Sequence, residues 1–321
     1  LVIAELSWRG WVAGIKALIR GQLLAQNPEP RAKELKPIAR DLEALVRDLE
    51  AERRLRDESQ MSWVPETLRT ILREDLKGDE ILIVSNREPY IHVRQGERID
   101  VLRPASGLVT ALEPVMRACS GTWIAHGAGS ADREVVDAND HVRVPPESPS
   151  YQIRRVWLSK EEEAGYYYGF ANEGLWPLCH IAHTRPVFRA TDWEHYRAVN
   201  RRFADTVVSE SRTPNPIILV QDYHFALLPR MIRERLPEAT IITFWHIPWP
   251  NPEAFGVCPW RAELLDGMLG SSILGFHTQF HCNNFFDTVD RYLEARVDRE
   301  TFTISYGGEP TEVHRHPISI E

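Results

Sequence analysis

Two kinds of periodicity divide the chain. In residues 1–60 apolar positions recur every three or four residues: Trp8, Val12, Ile15 and Ile19 share one helix face, and Leu35, Ile38, Leu42, Leu45 and Leu49 share another. Arg40, Glu43, Arg47 and Glu50 interleave with the second set, the pattern of a short heptad seam. This segment is predicted to form two amphipathic helices joined by an extended connector around NPEP. From residue 61 the period changes. Short apolar runs, EILIVSN, TWIAHG, IRRVWLS, PIILVQDYH, TIITFWHIPW and SSILGFHT, alternate with helical stretches such as ASGLVTALEPVMRAC, ATDWEHYRAVNRRFADTVVSES and FALLPRMIRERL. Strands that are apolar throughout are buried on both faces, so the alternation predicts an α/β domain over residues 61–321 built on a mostly parallel sheet.

The polar residues that end those runs carry the candidate chemistry. ILIVSNREPY passes abruptly from strand to Ser85, Asn86 and Arg87, at the rim where open α/β sheets place ligands. A guanidinium there can fork two hydrogen bonds onto a phosphate or carboxylate, or form a surface salt bridge. Asp222 and His224 follow the run in ILVQDYHFALLP, and His246 follows the next in FWHIPWPNPEAF. Asp222 can hold hydroxyl groups or cap the following helix; His246 can serve the site or the scaffold. Neighbouring parallel strands present their ends together, which favours a shared site. Gly107, in PASGLVTAL, either lets backbone N–H groups approach an anion at a helix start or simply makes the turn. HGAGSAD is a second flexible turn after a strand. YYYGFANEGLWPLCH groups aromatic rings with polar tips, suited to a sugar ring or to a satisfied core patch.

Composition narrows the classes. With 43% hydrophobic and 26% charged residues in 321, the chain is predicted to be soluble and globular, and a net charge of −8 argues against a general nucleic-acid binder. Cys119, Cys179, Cys258 and Cys282 are widely spaced and form no C-x-x-C pair, which points to a reducing compartment. His277 and His281, and His180 and His183, lack a third ligand at motif spacing, so no metal site is expected. No nucleophile elbow, Walker loop or G-x-G-x-x-G is present.

The stretches VSNREP, SGLVTAL, YYYGFANEGLWPLCH, YRAVNRRFAD, VQDYHFALLP, HIPWPNPEAF, PWRAELLDGMLGSSILGFHT and HPISIE run in one order from about residue 80 to 321. Together they resemble the trehalose-6-phosphate synthase family of retaining glycosyltransferases. The resemblance implies the Rossmann-like, acceptor-side half of a two-domain GT-B enzyme that moves glucose from a nucleotide-glucose such as UDP-glucose to glucose 6-phosphate. The nucleotide-binding half would follow Glu321, and the piece without it is expected to lack turnover. By that resemblance Arg87 holds the acceptor phosphate with help from Tyr167, Trp176 lines the acceptor sugar pocket, and Asp222 grips acceptor hydroxyls. His246 lies beside the donor sugar at the reacting centre, and Gly107 is in the turn that closes over the donor diphosphate. No cofactor is implied; the nucleotide-sugar and sugar phosphate are the small-molecule partners.

Departures from the family pattern bear on the acceptor. Ser106 stands where a glycine is usual, and His126 where a tryptophan is common. NREPY is also similar to the glucosylglycerol-phosphate synthases, which use glycerol 3-phosphate. Residues 1–60 resemble a HAMP-type linker, with LVIA as the end of a membrane helix, or form a plain helical hairpin. That leaves open a homo-oligomer built through residues 1–60 and a tether upstream of Leu1 to the inner face of a membrane, in an otherwise cytoplasmic protein. It also leaves open a sensor that binds a sugar phosphate without turnover.

Overall fold

The computed structural model describes Thr70 and residues 80–317. The predicted helices and heptad seam of residues 1–60, and the boundary at residue 61, lie outside these residues.

Each of the apolar runs forms a strand: β1 (Ile81–Ser85), β4 (Thr122–His126), β6 (Tyr151–Val156), β7 (Ile217–Gln221), β8 (Thr240–Phe244) and β9 (Ile273–Phe276). They pair in parallel in the order β9-β8-β7-β1-β4-β6. More polar strands complete the ten-stranded sheet. β5 (His141–Val144) runs antiparallel along one edge. β12 (Glu309–Arg315) continues the parallel set beside β9, followed outward by antiparallel β11 (Thr303–Tyr306) and β10 (Arg296–Asp298). A separate hairpin joins β2 (Ile91–Gln95) to β3 (Arg98–Leu102).

The reason β1 is apolar throughout is visible in its packing. Leu82 and Val84 point to one core and Ile81 and Ile83 to the other, because successive side chains of a strand leave opposite faces. Helix α1 (Gly107–Cys119) covers the second core with Val109 and Met116. Helix α2 (Ala190–Glu210) covers the first with Trp193, Tyr196, Asn200, Phe203 and Val207, a helical stripe. Helices α3 (Leu228–Arg233), α4 (Arg261–Met268) and α5 (Gln279–Tyr292) complete the same layer. YYYGFANEGL, for which no element is predicted, lies in a π-helical segment, Ala164–Leu175, packed on α2. A Cβ on Gly165 would sit 2.5 Å from the His195 ring of α2, so only glycine permits that approach.

Strand order decides where a ligand can bind. From β1 the chain proceeds through β4 to β6 on one side, then crosses back to place β7, β8 and β9 on the other. The connections therefore diverge between β1 and β7, opening a crevice beyond their carboxyl ends.

Candidate active site at the switch point

The turn after β1 is pinned from beneath. The indole N–H of Trp123 donates to the Ser85 hydroxyl at 2.7 Å, and that hydroxyl donates to the Arg87 carbonyl. The Tyr166 hydroxyl donates to Asn86 Oδ1 at 3.1 Å, tying the turn to the π-helical segment. Arg87 is consequently held outward: its side chain is exposed and pairs with no carboxylate among the described residues. Of the two roles open to it, the surface salt bridge is not formed among the described residues.

The turn after β7 is held by α2. The Tyr196 hydroxyl donates to the Tyr223 carbonyl at 2.7 Å and accepts from the Ala226 N–H at 2.9 Å. Within this turn Asp222 adopts φ 75°, a conformation that costs a non-glycine residue of order 1–3 kcal/mol and survives only where its surroundings impose it. Its Oδ1 accepts from the amides of Tyr223 at 2.9 Å and His246 at 3.2 Å, while Oδ2 has no partner among the described residues. Asp222 is thus both a cap and a free oxygen at the rim. Burial pushes its carboxyl up to about 7, against the two amides that favour the anion.

His246 follows β8 and donates through Nε2 to Gln221 Oε1 at 2.9 Å, while His277 Nε2 donates to the His246 carbonyl at 3.0 Å. Burial, helped by His277, lowers the His246 ring to about 4, so it is neutral at physiological pH.

These turns meet around two adjoining cavities. One, of about 200 Å³, is lined by Ser85, Asn86, Arg87, Ser106, Leu108, Gln221, Asp222, His224 and His246. The other, of about 210 Å³, shares Asn86 and Arg87 and adds Glu88, His126, Glu163 and Tyr167. Neither is the largest pocket, but the larger ones lie on surfaces lined by paired side chains such as Arg230 with Asp266. Arg87, Asp222 and His246 therefore share a wall, Tyr167 joins them through Arg87, and Gly107 sits between two lining residues. Ser106 makes no side-chain cap, no acidic residue occupies the first turn of α1, and the space beside Gly107 is open. The first-turn amides of α1 are left available to an anion.

Trp176 departs from expectation. It lines neither cavity; the residue is 43% exposed and its ring stacks on His180 at 4.0 Å. The short helix Trp176–Cys179 buries Pro177, Leu178 and Cys179, which turns the indole outward. HGAGSAD departs too. A Cβ on Gly129 would meet the His92 carbonyl at 2.4 Å, so that glycine serves packing against β2. His126, in contrast, does reach the second cavity, with Nδ1 donating to the Val156 carbonyl at 3.0 Å.

Sequence reasoning missed the floor of that cavity. Arg155, fully buried, donates to Glu88 at 2.6 Å, to Asp132 at 2.8 Å and to the Tyr90 carbonyl at 2.7 Å. One cation cannot neutralise two carboxylates. Burial drives Glu88 up to about 8, partly offset by Arg155. Asp132 is held below its ordinary range despite burial, because His92, Arg155 and the amides of His92 and Gly129 all favour its anion. The signal available in the sequence was an arginine in the inward-facing register of Tyr151 and Ile153.

Comparison with known proteins identifies the family and the fold. The family described as Glycosyltransferase family 20 matches residues 79–321. A trehalose-6-phosphate synthase of Mycolicibacterium vanbaalenii is 35% identical over 252 residues, covering 76% of this chain and 50% of the relative. That of Mycobacterium avium is 36% identical with the same coverage. Among solved structures, an E. coli protein described as trehalose-6-phosphate bound with UDP-2-fluoro glucose superposes with a TM-score of 0.62 at 25% identity, over 75% of this chain and 49% of that one. An α,α-trehalose 6-phosphate synthase of Burkholderia multivorans shares the fold with a TM-score of 0.62 at 24% identity, over 76% and 50% of the two chains. The chain spans about half the length of the curated relatives it matches.

Proposed function

The chain belongs to glycosyltransferase family 20, and from that premise we propose that it is the acceptor-side half of a GT-B enzyme moving glucose, with retention, from UDP-glucose to glucose 6-phosphate. The product is trehalose 6-phosphate. The observation that carries the proposal is the convergence of Arg87, Asp222 and His246 on one cavity at the point where the sheet connections diverge. The unpaired guanidinium of Arg87 takes the acceptor phosphate, with Tyr167 beside it. Asp222 Oδ2 takes acceptor hydroxyls, and the neutral His246 ring stands by the donor sugar. The uncapped start of α1 at Ser106 and Gly107 receives the diphosphate.

In this arrangement the protein positions two substrates and stabilises developing charge, while the leaving diphosphate accepts the acceptor's proton. A pair of carboxylates at glycosidase spacing is not required for that route. No resident metal enters the step; a chelator leaves the rate unchanged. Placement in the cytoplasm, a homo-oligomer through residues 1–60 and a membrane tether upstream of Leu1 belong to the proposal as well, the oligomer on its heptad spacing. Sedimentation with and without residues 1–60 tests the oligomer.

The intact protein, carrying both halves, is assayed with UDP-glucose and with glucose 6-phosphate beside glycerol 3-phosphate. Trehalose 6-phosphate is the expected product. Absence of glucosyl transfer from any nucleotide-glucose overturns the reading, and preference for glycerol 3-phosphate replaces its acceptor.

A further inference from the structure

His224 carries a buried ring nitrogen with no hydrogen-bond partner among the described residues. It lines the cavity with Arg87, Asp222 and His246 and is 8% exposed. Neither ring nitrogen has a hydrogen-bond partner among the described residues, and Nε2 is shut off from solvent as well. Leaving a buried polar nitrogen unpaired costs on the order of a hydrogen bond, so such groups in folded proteins call for an explanation. The surroundings do nothing to satisfy it and much to orient it. Tyr167 stacks on the ring at 5.4 Å and 12°, Tyr223 lies against it at 4.2 Å, and Asn200 Nδ2 donates to the His224 carbonyl at 3.1 Å. The ring is clamped, and its hydrogen-bonding capacity is kept vacant.

The chemistry of the missing partner follows from the neighbours. Burial, then the positive charge of Arg87, then His246 lower the His224 ring to about 3, so it is neutral at working pH. A neutral imidazole offers one donor and one acceptor nitrogen, the complement of a hydroxyl group, which can accept and donate. Phosphate would be served better by a cation, and Arg87 already supplies one on the same wall.

Resting on the function proposed above, we infer that His224 is an acceptor-positioning residue whose clamped ring hydrogen-bonds a ring hydroxyl of the bound sugar phosphate, one step along the cavity from the phosphate at Arg87. Tyr167 then acts twice, beside the phosphate and as the platform that fixes His224. A hydroxyl-bearing ring is selected over a short acceptor that cannot span both groups.

The test uses the intact protein, native and as His224→Phe and His224→Gln, with glucose 6-phosphate and its 2-, 3- and 4-deoxy analogues. Phenylalanine keeps the stack on Tyr167 and removes an unpaired nitrogen, so the unfolding midpoint is expected to stay or rise. The KM for glucose 6-phosphate rises about 10–100-fold, as when a site built to bond a hydroxyl loses that bond, and the KM for UDP-glucose does not move. Glutamine, with a donor and an acceptor, recovers most of the loss. One deoxy analogue binds the native protein at least tenfold more weakly than glucose 6-phosphate, yet loses nothing further in His224→Phe. The inference is overturned if His224→Phe keeps an acceptor KM within twofold of native, or if no analogue couples to residue 224. Calorimetry on the native protein separates the two levels. Binding of glucose 6-phosphate without coupling to His224 sinks this inference alone, and no binding of any sugar phosphate sinks the proposed function with it.

Discussion

Arg87 and Arg155 belong to the same end of one sheet and live in opposite circumstances. Arg155 is fully buried and shared between Glu88 and Asp132. Arg87, one residue before Glu88 in the chain, is exposed with no carboxylate partner among the described residues. A buried charge is tolerated only when paired, so a paired arginine reports on the scaffold; an unpaired one on a cavity wall is available to a ligand. The same division runs through the site. In the floor beneath the second cavity the Asp132 carboxylate is met by Arg155, His92 and backbone amides, with only Arg155 Nε left unpaired among the described residues, whereas Asp222 Oδ2, the His224 ring and the first-turn amides of α1 are left open at the wall.

Substitutions should split accordingly. Arg155→Ala leaves Asp132 buried without its guanidinium, held only by His92 and the amides of His92 and Gly129, and is expected to cost ~3–5 kcal/mol in denaturant unfolding. A cost below about 1 kcal/mol would show that the floor is not structural. Arg87→Ala breaks nothing in the fold and should leave stability within ~0.5 kcal/mol, while weakening sugar-phosphate binding about 100-fold, or ~2.7 kcal/mol. Calorimetry reads the second figure, and equal affinities would remove Arg87 from the site.

Glu88 sharpens the contrast through pH. Its folded carboxyl titrates near 8, above the ordinary 4.5 of the unfolded chain, so the folded state holds a proton that the unfolded state has released. The stability it contributes is fully present below about 4.5 and is lost as pH rises through about 8. Native stability relative to Glu88→Gln should therefore fall by roughly 3–4 kcal/mol between pH 5 and 8 and level above that, a curve that parallel unfolding titrations would trace. Identical pH profiles would mean that Glu88 ionises as an ordinary surface acid. The smallest effect is expected at Gly107, where added volume meets open space: Gly107→Ala should leave the unfolding midpoint in place and raise the KM for UDP-glucose roughly tenfold, with the acceptor KM unchanged. An unaltered donor KM would detach the start of α1 from the diphosphate.

Much of this site could be read before any coordinates. The parallel strands announce themselves because burial on both faces forces an uninterrupted apolar run, and the residue types that break each run, Arg87, Asp222 and His246, mark its rim. The stripe of α2 is legible for the same reason, as a helix with one covered face. Other elements carry weaker local signals. β2 and β3 mix His92, Arg94, Arg98 and Asp100 with apolar residues, and β12 is EPTEVHR, because edge and hairpin strands bury less of each face. A π-helical turn has no period distinct enough from 3.6 to be seen in YYYGFANEGL.

What the chain's order of residues settles is therefore local: which segments are strands or helices, and which side chains stand at their ends. Neighbour relations were settled by the folded state. That β7 returns beside β1 rather than extending the far edge, that Arg155 meets Glu88 and Asp132, and that His224 is walled in without a partner among the described residues all depend on contacts between residues distant in sequence. Burial leaves its imprint on each segment separately, whereas pairing is a property of two segments at once, and no single stretch of sequence records it.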